Sequence, residues 1–169
     1  MRARRPSREG DAPDVARTPV APKVLAVRWL ARREYSRSEL TQRLRQRGIA
    51  AEEIERVLDE LAAAGYLSDA RYAQAVVAQR MGRFGKRAIV YALKERGIAA
   101  ADAQSALAPL AETDELADAQ ALWQRRFGTA PANDREKARQ VRYLQARGYS
   151  LSTALRVLRA AGSREGNDL

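Results

Sequence analysis

Arg135, Arg139 and Arg142 recur at i, i+4 and i+7, so a helix over them carries one basic stripe, with Lys137 beside it and Arg125 and Arg126 shortly before. A guanidinium fork pairs equally well with phosphate oxygens or a carboxylate, so the stripe announces an anionic partner without choosing one. A second cationic group, Arg83, Lys86 and Arg87, surrounds the segment Gly82-Arg-Phe-Gly85. That segment lacks the length and the hydroxyl residue of a phosphate-binding glycine loop. The Gly-x-x-Gly clamp of KH modules needs neighbouring strands. It reads as an interhelix turn whose cations can reach phosphate, with Phe84 as a staple and not a base-stacking platform. Arg37, Arg43 and Arg47 mark an equivalent earlier helix and are weaker candidates, because Glu39, Glu52 and Glu53 lie close in sequence. For each cluster the plain alternative is a solvated helix face.

The side chains that usually run catalysis are missing. The 169 residues include no Cys and no His. Disulfides, thiolate and imidazole metal ligands, a cysteine nucleophile and imidazole acid-base chemistry are thereby removed. Asp114, Glu115 and Asp118 form the one concentrated acidic stretch of the third unit defined below, and helix-start electrostatics explain the first two. A two-metal carboxylate site needs more converging acids. The sequence reads as a non-enzyme without metal or cofactor. Its net charge of +10 is spread as +2 over 1–22, +2 over 23–66, +3 over 67–112, +4 over 113–162 and −1 over 163–169. Such a distribution favours a long contact with a phosphate backbone or an acidic protein surface, with solubility as the bland reading. No apolar run of membrane-spanning length and no signal-peptide core stand out, so a soluble cytoplasmic protein without membrane contact is expected.

The elements that must position these cations repeat. Leu44-Arg-Gln-Arg-Gly48-Ile49 returns as Leu93-Lys-Glu-Arg-Gly97-Ile98 and as Leu144-Gln-Ala-Arg-Gly148-Tyr149, at offsets of 49 and 51 residues. After each glycine comes an apolar-periodic stretch: Ile54, Val57, Leu58 and Leu61; Ala103, Ala106, Leu107 and Leu110; Ala154, Val157, Leu158 and Ala161. Each copy reads as three helices, and three tandem copies define the organisation.

The first unit comprises helices over 22–33, 36–47 and 50–64, with a capping box at Ser36 and Glu39 flanked by Tyr35 and Leu40. The second starts from Ser68 or Asp69 and has helices to about Met81, over 86–96 and over 99–110. The third opens near Thr113, runs to about Arg126, restarts at a second capping box of Asn133 and Glu136, and ends its last helix before Gly162. Residues 1–22, with four of the six prolines, read as a disordered basic arm, and 163–169 as a polar tail. No segment alternates with period two, so no sheet is expected. Aromatics make up only 6% of the chain, which leaves Ala, Leu and Val to fill the interior. The expected fold is all-α, three tandem three-helix repeats stacked into an elongated, curved array in which neighbours complete one another's cores. Trp29, Trp123, Tyr66, Tyr72, Tyr91, Tyr143 and Tyr149 are read as core or inter-repeat packing. The helices after Gly48, Gly97 and Gly148 make poor base-reading helices, because the first begins acidic and the second nearly bare.

Three stretches in fixed order, Arg33-Glu-Tyr-Ser-Arg-Ser-Glu-Leu40, Gly65-Tyr-Leu-Ser-Asp-Ala-Arg-Tyr-Ala73, and Gly85-Lys-Arg-Ala-Ile89 leading to Lys94-Glu-Arg-Gly-Ile98, resemble the motifs of the bacterial RecX regulatory proteins over about 23–162. The resemblance implies an all-helical, three-repeat protein that binds the RecA recombinase and its filament on single-stranded DNA. It further implies inhibition of ATP turnover, strand exchange and filament extension, with no catalytic residue or cofactor of its own. Two positions depart from the usual pattern: Ser68 precedes Asp69 where two acidic or amide residues are common, and Ala92 replaces a frequent acid. On this reading a monomer bridges recombinase protomers and phosphates through Arg83, Lys86, Arg87, Arg125, Arg126, Arg135, Arg139 and Arg142, and binds bare single strands weakly and with strong salt dependence. The competing readings are a non-enzymatic DNA-binding protein or repressor acting without recombinase, and a generic helical scaffold.

Overall fold

Capping chemistry decides where the helices begin. Ser36 Oγ accepts from the Glu39 N–H at 3.1 Å and Ser68 Oγ from the Arg71 N–H at 3.2 Å. Asp114 Oδ1 accepts from Leu116 and Ala117, and Asn133 Oδ1 from Glu136. The computed structural model describes residues 20–111 and 113–165. Among them are α1 (Pro22–Leu30), α2 (Arg37–Arg45), α3 (Ala51–Ala63), α4 (Asp69–Arg80), α5 (Lys86–Glu95), α6 (Ala100–Leu107), a 3-10 turn (Ala108–Ala111), α7 (Glu115–Arg126), α8 (Asp134–Ala146) and α9 (Leu151–Glu165), with no strand. The fold is all-α, three tandem three-helix units. Residues 1–19 of the expected basic arm and 166–169 of the expected tail lie outside the described residues.

Both capping boxes close differently from the expected reciprocal pair. Glu136 Oε2 accepts from the Ala132 N–H, one residue before the cap. The Glu39 carboxylate turns away from Ser36 and binds Arg33 and Tyr72. Asp69 does not cap its own helix. Its Oδ1 accepts from the Arg37 N–H at 2.7 Å and so closes the first turn of α2 in the preceding unit. The last helix was expected to stop before Gly162, yet α9 continues to Glu165. Gly162 does not take a left-handed turn there, and Ser163 Oγ donates to the Arg159 carbonyl one turn back.

The units do not depend on stacking for their cores. Ala26, Leu40, Leu44, Ile54, Leu58 and Leu61 form one buried cluster with Tyr35. Tyr72, Val77, Ile89 and Leu93 centre a second, and Ala119, Trp123, Leu144, Tyr149 and Val157 a third. The expectation that neighbours complete each interior is thus corrected: the third helix of each unit buries its apolar stripe against its own partners, and Tyr72, Trp123 and Tyr149 supply the bulk that short aliphatic chains cannot. Leu67, between α3 and α4, packs into the first core.

What remains for the joints is polar or backbone. Between the first two units, Arg71 Nε meets Glu34 at 2.9 Å and the Tyr72 hydroxyl donates to Glu39 at 3.1 Å, beside the Asp69 cap. Between the second and third, the Gly85 N–H donates to the Arg147 carbonyl at 2.8 Å. The Gly148 backbone lies so close to Ala88 that a Cβ on Gly148 would come within 2.4 Å of the Ala88 Cβ.

Candidate functional site

Every ion pair among the described residues uses a carboxylate of the first unit: Glu34, Glu39, Glu53, Glu55, Asp59 or Glu60. Arg37 is held by Glu55 and Asp59. The Glu55 hydrogen bond leads the contacts that raise its pKa, against a partial desolvation. Arg43 donates to the Tyr35 hydroxyl and lies 4.6 Å over the Trp29 ring, which Arg47 also faces at 5.9 Å. The first-unit candidates are therefore engaged within the fold.

The second and third units differ. Arg83, Lys86, Arg87, Arg125, Arg126, Arg135, Arg139 and Arg142 are all exposed, and none enters an ion pair among the described residues. Two of the acids nearby, Asp114 and Glu136, are committed to helix starts. Arg83 lies in the turn before α5, and Lys86 and Arg87 in that helix's first turn. Arg125 Nη2 donates to the Gly82 carbonyl at 3.3 Å, so two clusters 43 residues apart in sequence become neighbours. Arg126 and Arg139 approach the Phe127 ring from α7 and α8, at 5.7 and 5.6 Å, and share a polar depression with Thr129 and Tyr143. Arg135 and Arg142 complete the stripe on α8, whose buried residues are Gln140 and Leu144. Gln140 accepts from Trp123 Nε1 at 2.7 Å and thereby fixes α8 against α7.

Two tyrosines read above as packing residues are not. Tyr66 is 57% exposed and Tyr91 63% exposed. The buried set of α5 is Ile89, Ala92 and Leu93, and Tyr91 falls off that stripe. Helical spacing alone could have shown this. Arg80 and Arg147, absent from the sequence-based candidates, face the Phe84 ring at 5.0 and 5.1 Å. Their convergence depends on a joint that no local signal reveals. Among the described residues no group of three or more carboxylates converges as a metal site, and no helix is long and apolar enough to cross a membrane.

Models of the first, second and third three-helix domains of RecX match residues 23–61, 68–107 and 112–158. The regulatory protein RecX of Leptothrix cholodnii is 43% identical over 143 residues, covering 85% of this chain and 90% of its own length. That of Ralstonia pickettii is 39% identical over 145 residues, covering 86% and 91%. The crystal structure of RecX from Lactobacillus salivarius shares the fold at 20% identity, with a TM-score of 0.66 over 83% of this chain and 94% of that one. With three domains matched in order and relatives of this identity aligned over most of their length, the chain belongs to the RecX family of regulatory proteins.

Proposed function

We propose that this chain binds the RecA recombinase filament on single-stranded DNA and inhibits its ATPase, strand-exchange and filament-extension activities, working in the cytoplasm as a monomer. Family membership supports the partner. The observation that carries the contact is a set of unpaired cations: Arg37 is held by Glu55 and Asp59, whereas Arg83, Lys86, Arg87, Arg125, Arg126, Arg135, Arg139 and Arg142 are exposed and enter no ion pair among the described residues. Such a surface attracts a polyanion or an acidic protein face at long range and positions it by charge-assisted hydrogen bonds. A filament offers both chemistries along one polymer, and tandem units present contacts at successive points along it.

The test titrates this protein into RecA-catalysed ATP hydrolysis on single-stranded DNA at fixed salt, with filament length followed in parallel. A substoichiometric fall in both is expected. Reversing Arg139 and Arg142 to Glu should weaken association while circular dichroism stays unchanged. No effect on RecA, together with tight binding to DNA alone, would instead identify a DNA-binding protein that acts without recombinase.

A further inference from the structure

The joint between the second and third units leaves an open cleft of about 770 Å³, with Phe84, Arg87 and Tyr91 on one side and Gly148 and Tyr149 on the other. Its floor is low because the Gly148 backbone meets the small Ala88 directly, and Ala92 lies one turn further along α5. Arg87, Tyr91 and Glu95 follow at i, i+4 and i+8 and line one wall. The Tyr91 ring is 63% exposed and has no hydrogen bond or ring contact among the described residues. Arg87 and Glu95 are exposed and without an ion pair there.

An unpartnered aromatic face beside an unpaired guanidinium is the arrangement by which proteins hold single strands: the ring stacks a base and the cation takes the backbone. Residues four apart on a helix stand about 5–6 Å apart at Cβ, within the span from a nucleobase to its own phosphate. Arg80, Arg87 and Arg96 outweigh the single carboxylate of Glu95 in the lining, and Glu95 can accept from the exocyclic amine of a base, a donor that an acidic side chain lacks. A paired duplex offers no free base face to Tyr91.

We propose that this cleft is a subsite for an unpaired nucleotide, in which Tyr91 stacks the base, Arg87 binds its phosphate and Glu95 accepts from its amino edge. The assignment rests on the reading that nucleic acid forms part of the partner surface, and its test needs no recombinase. Anisotropy of the full chain with a labelled oligo-dA strand, an abasic strand of equal length and a duplex separates base from backbone. Tyr91→Ala should weaken oligo-dA binding about five-fold or more, with the salt slope unchanged and with abasic and duplex binding unaffected. Tyr91→Phe should match the unsubstituted chain, and Arg87→Ala should lower the slope by about 0.7. Oligo-dA affinity unchanged in Tyr91→Ala would overturn the subsite, as would an equal loss on the abasic strand. If Tyr91→Ala weakened binding to DNA-free RecA alone, the cleft would belong to the protein partner and the subsite would fall. Intact base-dependent binding without any effect on RecA would sink the proposed function and leave the subsite standing.

Discussion

Gly48 and Gly148 occupy the same place in the first and third units, after the middle helix, and both have left-handed backbones, at φ 77° and 90°. Replacing either by Ala forces a side chain into that region, at about 1 kcal/mol. The surroundings then separate them. A Cβ on Gly48 meets nothing within 4 Å, whereas one on Gly148 would lie 2.4 Å from the Ala88 Cβ and 2.6 Å from its backbone nitrogen. Ala88 cannot yield cheaply, because it precedes Ile89, which is fully buried in the second core. Overpacking against such a backbone adds about 1–3 kcal/mol. Gly48→Ala should therefore lose about 1 kcal/mol and Gly148→Ala about 2–4. In a chain of this length 1 kcal/mol corresponds to about 2–4 °C in Tm, so calorimetry should show a drop of about 2–4 °C against about 4–16 °C. Hydrogen exchange locates the difference. The Gly85 amide, bonded to the Arg147 carbonyl at 2.8 Å, should exchange faster in Gly148→Ala and unchanged in Gly48→Ala. Equal losses in the two variants, with Gly85 protection unaltered, would refute the close backbone joint.

Three further substitutions probe other links. Trp123→Phe strands the carbonyl oxygen of Gln140, which is 3% exposed, and should cost about 1–3 kcal/mol in urea unfolding, with partial recovery in the Trp123→Phe/Gln140→Leu double variant. The Tyr149 hydroxyl is buried without a hydrogen-bond partner, and burial, followed by the Asp118 and Glu115 charges, pushes its pKa up to about 12. Tyr149→Phe should thus be neutral or stabilising at pH 7. Because the folded pKa lies above the unfolded value near 10, the contribution is complete below pH 10 and is lost as pH rises towards 12. The loss is on the order of 3 kcal/mol, and Tyr149→Phe should remove that alkaline decline in melting temperature. Asp69→Ala removes the acceptor for the Arg37 N–H and should cost about 1 kcal/mol, largely restored in Asp69→Asn and absent if the cap is unimportant.

The repeats, the helix class and the caps are legible in sequence because each is local: a glycine after a leucine-anchored helix, or Ser36 three residues before Glu39, carries its signal within a few positions. The joints are not. Asp69 has the composition of a cap for α4, and only the fold reveals that it serves α2. Arg37 and Arg139 look alike in sequence, yet Glu55 and Asp59 approach the first from another helix while no carboxylate pairs with the second. Ala92 lines the cleft between the second and third units, a placement that no local signal in α5 announces. Tyr91 itself was misread because its residue type suggests a core while its phase on α5 excludes one.

Salt separates the fold from the interface. The ion pairs gathered around the first unit are largely exposed, as with Lys23 and Glu60 at 53% and 47% side-chain exposure. Surface pairs of this kind each contribute between nothing and about 1 kcal/mol and are screened within about 10 Å at moderate ionic strength. Three apolar cores carry the stability, and neither they nor the Asn133 and Asp114 caps depend on long-range charge. Partner binding through exposed arginines releases counterions, and its constant should fall steeply and linearly with log salt. Raising salt from low to moderate should consequently strip the protein from a polyanion while its helix content and melting temperature hardly move. If melting temperature fell in step with affinity, the arginines of the second and third units would be stabilising the fold rather than waiting for a partner.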